Sequence, residues 1–230
     1  MARILVLVEG QTEELFVRDV LSPALLPHAL YARRLGNPRT RESRGGVRKW
    51  GSARRDIVTH LRNDPSSYIT TLVDYYGMPC QEHIDRGWPG RADAPNLPFE
   101  HRADHVESAM AAAIAAEMGG TWNPARFLPY VSMHEFEALL FSDCDRLAHS
   151  LDVPALLPEL IAIVDHYPTP EAINDSVESH PSRRLSRLIP GYQKTLYGII
   201  AALDIGVDSM AAACPHFGSW LQRLRDLPAT

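Results

Sequence analysis

The sequence predicts an α/β fold: a largely parallel sheet flanked by helices, followed by a helical C-terminal lobe. Three observations predict it. The runs Arg3–Val8 and Tyr68–Val73 are almost entirely aliphatic or β-branched, as strands buried on both faces are. Helical periodicities lie between such runs, so strands and helices alternate. Beyond Asp145 no strand-like run follows, and prolines such as Pro154, Pro168, Pro181 and Pro215 divide what reads as a series of helices. The expected division is an α/β core over residues 1–145 and a helical lobe over 146–230.

The first run ends in Glu9, and Gly10 allows a tight turn directly after it. Thr12 is placed to cap a helix in which Leu15, Phe16, Val20 and Leu21 recur at helical spacing to Leu26. His28–Leu35 has the character of a second strand, closed by Gly36-Asn37-Pro38. Residues 37–51 mix glycines with arginines and read as a basic loop. Ser52 can cap a helix to Asn63 with Ile57, Val58 and Leu61 on one face. After Tyr68–Val73 come Asp74, Tyr75 and Tyr76. Residues 80–99, rich in proline, glycine and charge, read as an insertion or lid. An alanine-rich helix then runs from about Glu100 to Met118 and stops at Gly119-Gly120. Phe127–Ser132 is a shorter strand in which Pro129 argues for an edge or a bulge.

Of the 230 residues, 45% are hydrophobic and 22% charged, the balance of a globular domain. No apolar run approaches the ~20 residues of a membrane span. Arg3 leads into a strand and then into acids, with no small-residue cleavage site, so a signal peptide is not expected. Cys80, Cys144 and Cys214 are few, odd in number and widely spaced, which argues against a disulfide framework or a thiolate zinc site. A cytoplasmic location is the default. The net charge of −5 conceals a basic segment. Arg33 to Arg55 carries nine basic residues against Glu42, a balance of +8 that leaves −13 on the rest of the chain. Such a segment in an acidic protein suits an anionic partner. Its candidate nucleic-acid contacts are Arg33, Arg34, Arg39, Arg41, Arg44, Arg48 and Lys49.

Acids stand at three strand ends: Glu9 with Glu13, Asp74, and Glu135 with Glu137. Open α/β sheets place ligands at this edge. A carboxylate closing a strand of buried aliphatics is costly to desolvate without a partner such as a metal ion. Glu13 either points to the same place or complements the helix dipole. If the three strands are neighbours, the acids converge, and a cation must offset them. Hard oxygen donors suit Mg²⁺ or Mn²⁺, and such an ion beside a basic surface suits phosphoryl-transfer chemistry. Glu135 and Glu137, two apart, point roughly 200° from each other on a helix and share a face on a strand. His134 reads first as a core histidine, and otherwise as a ligand or general base. Arg183 and Arg184 are further candidates for phosphate contacts, and Lys194, one of only two lysines, for charge compensation at a phosphate. The plain alternative for this group is a solvated helix face.

Val8-Glu9-Gly10-Gln11-Thr12-Glu13 resembles the first motif of Toprim domains, the Rossmann-like metal-binding fold of topoisomerases, primases and OLD-like (overcoming-lysogenization-defect) nucleases. Asp74-Tyr75-Tyr76 stands where those domains carry D-x-D, with Tyr76 in place of the second aspartate. Together with His134-Glu135-Phe136-Glu137-Ala138-Leu139-Leu140-Phe141, Pro181–Leu185 and Tyr192-Gln193-Lys194, these motifs resemble a domain-of-unknown-function family of Toprim-like bacterial proteins. Members often lie beside genes for AAA/SMC-like ATPases in defence-type loci. The resemblance implies Glu9, Glu13 and Asp74 as metal-site residues, Glu135 and Glu137 as additional ones, and Lys194 as a catalytic cation.

The expected function is an Mg²⁺- or Mn²⁺-dependent nuclease that cleaves phosphodiesters, of DNA ahead of RNA, in a phage-defence or DNA-repair type of system with an ATPase partner. Glu9, Lys194 and His134 are its catalytic candidates, and a homodimer is compatible with it. The alternative is a non-catalytic Toprim-like subunit that docks on the ATPase, which Tyr76 favours.

Overall fold

The computed structural model describes residues 1–36, 49–80, 86–120, 122–173 and 181–228. It divides into two compact units, one of Met1–Glu14, Pro27–Val131 and Pro228–Thr230, the other of Leu15–Leu26 and Ser132–Leu227. The second unit is therefore not one contiguous stretch: it also takes Leu15–Leu26.

The first unit is a parallel sheet. β1 (Arg3–Val8) leads to a helix, α1 (Gln11–Phe16), which continues through a π-helical stretch (Val17–Leu21) into α2 (Ser22–Ala24). This helix begins at Gln11, with Glu14 N donating to Gly10 O at 3.2 Å. Thr12 thus lies inside the first turn and is not the cap expected of it. β2 (Ala29–Arg34) and β3 (Ser67–Asp74) flank β1, and β4 (Phe127–Leu128) lies beyond β3, giving the order β2-β1-β3-β4 with every pairing parallel. β5 (Val131–Ser132) pairs with β3 off this path. Every residue of β3 except Asp74 is buried, which is why that run lacks polar alternation.

Pro129 breaks the last strand as expected. Its missing donor is accommodated by a side chain: Thr71 Oγ1 donates to Tyr130 O at 2.9 Å and accepts from Tyr130 N at 3.0 Å. The threonine replaces the ladder bonds that the kinked strand cannot make.

Helices α3 (Trp50–Asn63) and α4 (Phe99–Met118) belong to the same unit. α3 starts at Trp50, two residues before the expected cap Ser52, because Trp50 is buried against Trp88 at 5.2 Å between ring centroids. That contact also corrects the reading of 80–99 as a lid. In its described part, Cys80 and residues 86–99, Trp88 is buried, and Arg91 is buried with Nε donating to Tyr75 O at 2.9 Å. The segment is anchored to the turn after β3.

Arg126 fixes the start of β3. Its guanidinium donates to Ser67 O at 3.0 Å, Leu61 O at 3.0 Å and Asp64 O at 2.6 Å, serving carbonyls at the end of α3 and at the strand entry. Arg126→Ala is expected to lower stability by about 2 kcal/mol, because these carbonyls lose charge-assisted bonds. Urea denaturation checks it, and an unchanged midpoint would remove Arg126 from this role.

The second unit is helical: α5 (Cys144–Ser150), α6 (Leu157–Val164), α7 (Pro181–Leu188), α8 (Ile199–Ile205), α9 (Val207–Ala213) and α10 (Pro215–Arg225), with a 3₁₀ helix over Phe136–Ser142 and a π-helical stretch over Lys194–Gly198. Its core includes Phe16, whose ring lies 4.7 Å from Phe136 and 6.3 Å from Phe217. The buried Glu171 accepts from the N–H groups of His216 and Phe217 at 3.0 and 2.9 Å, satisfying donors at the start of α10. α9 and α10 approach so closely that a Cβ on Gly218 would stand 2.5 Å from Ala211 O. Only glycine fits there. No single helix among the described residues is long and apolar enough to cross a membrane.

Candidate functional site

The carboxyl edge of the sheet carries Glu9 and Asp74. The register pairs Val8 with Leu72, so Glu9 lies one step past the last paired residue of β1, beside the end of β3. There the ladder ends and the Asp74 N–H would lose its partner. The Glu9 carboxylate takes that role: Oε1 accepts a hydrogen bond from Asp74 N. Asp74 Oδ1 in turn accepts from Tyr76 N at 2.9 Å, closing a turn on its own side chain. Both carboxylates are thus oriented by backbone donors, and both are half-buried.

Glu13 lies across the turn that follows Glu9. Its Oε2 lies 2.9 Å from the place a Cβ would occupy on Gly10. The missing side chain at Gly10 therefore lets Glu13 fold its carboxylate over the turn that follows Glu9. Gly10→Ala is expected to displace Glu13 with a stability change below about 1 kcal/mol, since the obstructing atom is the end of a flexible side chain. Urea denaturation checks it, and a loss well above that figure would show that Glu13 cannot give way.

The remaining predicted residues of the first unit separate. Arg34 is paired, its guanidinium 2.6 Å from Glu14 Oε2. Arg33 is exposed on β2, and Lys49 is exposed where α3 begins. Arg39, Arg41, Arg44 and Arg48 lie outside the described residues, as does most of the basic loop.

Glu135, Glu137, His134, Lys194, Arg183 and Arg184 belong to the second unit. Lys194 Nζ donates to Glu135 Oε1 at 2.8 Å and to Glu137 Oε2 at 3.2 Å. Two carboxylates only two residues apart reach one ammonium because they are not on a regular α-helix. Glu135 is extended (φ −53°, ψ 151°) and precedes the 3₁₀ helix in which Glu137 lies. Glu135 Oε2 also accepts from Ser182 N at 3.1 Å, tying the cluster to the start of α7. His134 is buried, Arg183 is exposed, and Arg184 donates to Tyr167 Oη at 2.9 Å.

The electrostatics of this cluster follow from burial. Glu137 has 1% of its side chain exposed, and burial raises its pKa to about 7 against the opposing pull of Lys194, with Glu135 adding to the rise. Burial also disfavours ionised Glu135, but Lys194 and Ser182 outweigh it and lower that pKa. Burial depresses Lys194, but Glu137 and Glu135 more than offset this and hold it above the ordinary lysine value. The cluster therefore holds a firm Glu135–Lys194 ion pair and a Glu137 that titrates near neutrality.

Tyr192 is the member that residue-by-residue reading missed. Its Oη and Glu137 Oε1 are both buried without a hydrogen-bond partner among the described residues. Burial, then Glu137 and Glu135, push its phenol pKa upward. The signal available was its place two residues before one of the two lysines.

Comparison with curated proteins finds no match. Two solved structures are similar, both of the C-terminal region of the Xanthomonas campestris pv. campestris OLD protein. One, phased with iodine, is 17% identical over 98% of this chain and 95% of that one, with a TM-score of 0.40. The other, phased with platinum, is 15% identical over 98% and 93%, with a TM-score of 0.41. Residues 8–225 match the family described as Domain of unknown function (DUF4276), and the chain belongs to that family.

Proposed function

We propose that the protein is a metal-dependent phosphodiesterase of Toprim type that cuts nucleic acid, DNA ahead of RNA, at the carboxyl edge of its sheet. The observation that carries this reading is the meeting of Glu9 and Asp74 at the ends of adjacent parallel strands, with Glu13 folded over the turn beside Glu9. Carboxylates at this edge are hard oxygen donors, the chemistry that suits Mg²⁺ or Mn²⁺, although in this structure their oxygens do not close into a three-ligand set. Glu9, Glu13 and Asp74 would hold the ion. When bound, it supplies charge neutralisation at the scissile phosphate and a water of lowered pKa. The residues themselves supply orientation: the Asp74 N–H aims Glu9, and the Tyr76 N–H aims Asp74.

Glu135 and Glu137 already have a cation in Lys194, so in this reading they hold the lysine in place of a metal ion. The parts given to Lys194, charge compensation at a phosphate, and to His134, proton transfer, rest on the sequence resemblance. The test is Mn²⁺ calorimetry on wild type and on Glu9→Ala/Asp74→Ala, followed by cleavage assays on labelled DNA and RNA. Binding and cleavage that both vanish in the double variant support the reading. Wild-type protein that neither binds Mn²⁺ nor cuts sinks it.

One observation favours a second reading, a non-catalytic subunit that docks on an AAA/SMC-like ATPase. Tyr76, at the place of a second aspartate, is 40% exposed and stands edge-on to Tyr75 at 5.1 Å. It offers no ligand atom comparable to a carboxylate. Stable association with a co-encoded ATPase, without metal-dependent cleavage, is the outcome this reading requires.

A further inference from the structure

A second concave site lies along the β2 side of the same sheet. Helix α3 packs against β3, and among the described residues Tyr31, Arg33 and Arg34 of the edge strand β2 are exposed. Between α3 and β2 is a cleft of about 430 Å³, lined by Arg3, Leu5, Tyr31, Arg33, His60 and Asp64 among others. All of these belong to the first unit. The volume is within the ~300–1,000 Å³ of small-molecule clefts.

The register explains how the wall is built. Leu5 pairs with Tyr31 and Leu7 with Arg33, so Tyr31 and Arg33 rise from one face of β2 beside the aliphatic residues of β1. Tyr31 is 58% exposed, an unusual place for a large aromatic side chain. Neither Tyr31 nor Arg33 has a side-chain partner among the described residues. The opposite wall is the end of α3. Its acid, Asp64, is already neutralised: Arg3 pairs with it at 2.9 Å and Ser66 Oγ donates to it at 2.8 Å. The uncompensated charge of the cleft is therefore that of Arg33. His60 lines the same cleft, where burial and then the Arg33 charge lower its pKa against the pull of Asp56.

We infer that this cleft binds a nucleotide unit, with the base stacked on Tyr31 and the phosphate held by Arg33 and His60. Two residues along a strand are about 6.6 Å apart, a spacing on the scale that separates a base from its own phosphate across the ribose. A flat aromatic face and a guanidinium at that spacing are what single-stranded nucleic-acid grooves present. The inference rests on the phosphodiesterase reading only in drawing the nucleotide from a nucleic-acid strand. Tyr31 pairs with Leu5 and Arg33 with Leu7, four and two strand steps short of Glu9, about 13 and 7 Å. A strand held at Tyr31 and Arg33 thus comes within one or two nucleotides of the acidic edge.

The experiment is fluorescence anisotropy of a short labelled oligothymidylate in EDTA, where metal-dependent cutting is silent. Tyr31→Ala is expected to weaken binding at least about fivefold. Arg33→Ala should weaken it similarly and lower the slope of log affinity against log salt by about 0.7. Arg225→Ala removes the same charge in the second unit and should change neither. Thymidine monophosphate that displaces the oligonucleotide, with the same Tyr31 dependence, identifies a free nucleotide as the ligand. Failure of the mononucleotide to compete identifies the strand. The proposal is overturned if wild type does not bind, if Tyr31→Ala and Arg33→Ala bind as wild type, or if Arg225→Ala loses as much as Arg33→Ala. Because the anisotropy is read in EDTA, it does not depend on a metal at Glu9 and Asp74. Failure of the metal-site reading therefore shows only in the Mn²⁺ cleavage assay, and failure of this inference only in the anisotropy.

Discussion

Asp74→Asn is expected to reduce Mn²⁺-dependent cleavage by on the order of 10²–10³-fold while leaving the melting temperature unchanged. The amide keeps an oxygen to accept from Tyr76 N and keeps the backbone N–H that donates to Glu9, so the local geometry survives. What it removes is the negative charge. Glu9→Ala should abolish cleavage at least as fully, but with a structural cost. It leaves Asp74 N without its acceptor at the strand end, and an orphaned half-buried donor costs about 1–2 kcal/mol. Measuring single-turnover rates and melting temperatures together separates the two effects. Asp74→Asn protein that cuts at the wild-type rate would exclude Asp74 from the metal set.

The second large effect concerns stability. Lys194→Met is expected to destabilise the second unit by about 3 kcal/mol at pH 8, because it strands Glu137, whose side chain is 1% exposed, without its cation. The figure is the low end for a broken buried pair, since 41% of the Lys194 side chain is exposed. At pH 5 the loss should be smaller, because Glu137 is then protonated. The wild type should show the same titration. The Glu137 pKa rises from the ordinary 4.5 to about 7 in the folded state. The folded chain therefore binds this proton more tightly than the unfolded chain. The stabilisation is fully present below about pH 4 and is lost as pH rises through 7, a fall of up to about 3 kcal/mol. Glu137→Gln should flatten that slope. Urea denaturation of all three proteins between pH 4.5 and 8 tests the set. A Glu137→Gln curve parallel to wild type would show that another group titrates.

The strands were legible because a strand buried on both faces has little choice of residue. β1 and β3 are near-continuous aliphatic runs, and Pro129 marks the break between β4 and β5. The helix starts were not. Thr12 and Ser52 have the right chemistry for caps, but tertiary contacts decided: Trp50 draws α3 forward to bury its ring. The lid reading of residues 80–99 failed for a related reason. Proline, glycine and charge suggest mobility, yet Trp88 and Arg91 anchor the described part of that segment.

At the candidate site, each carboxylate could be named from its place after a strand. That Glu9 would bond Asp74 follows from β1 and β3 being neighbours, which periodicity along a single chain does not reveal. The grip of Glu135 and Glu137 on Lys194 was less accessible still. It joins residues nearly sixty positions apart and depends on a 3₁₀ turn where an α-helix would have splayed the two acids.

The way the chain is shared between its two units bears on how it is made. Leu15–Leu26 belongs to the same unit as Ser132–Leu227, so the ring of Phe16 is enclosed only after Phe136 and finally Phe217, far later in the chain, have been made. Neither unit is a contiguous piece that could be cut out at one peptide bond. Synthesis thus leaves the apolar helix that carries Phe16 exposed until the stretch around Phe217 has emerged, and the second unit cannot close before then.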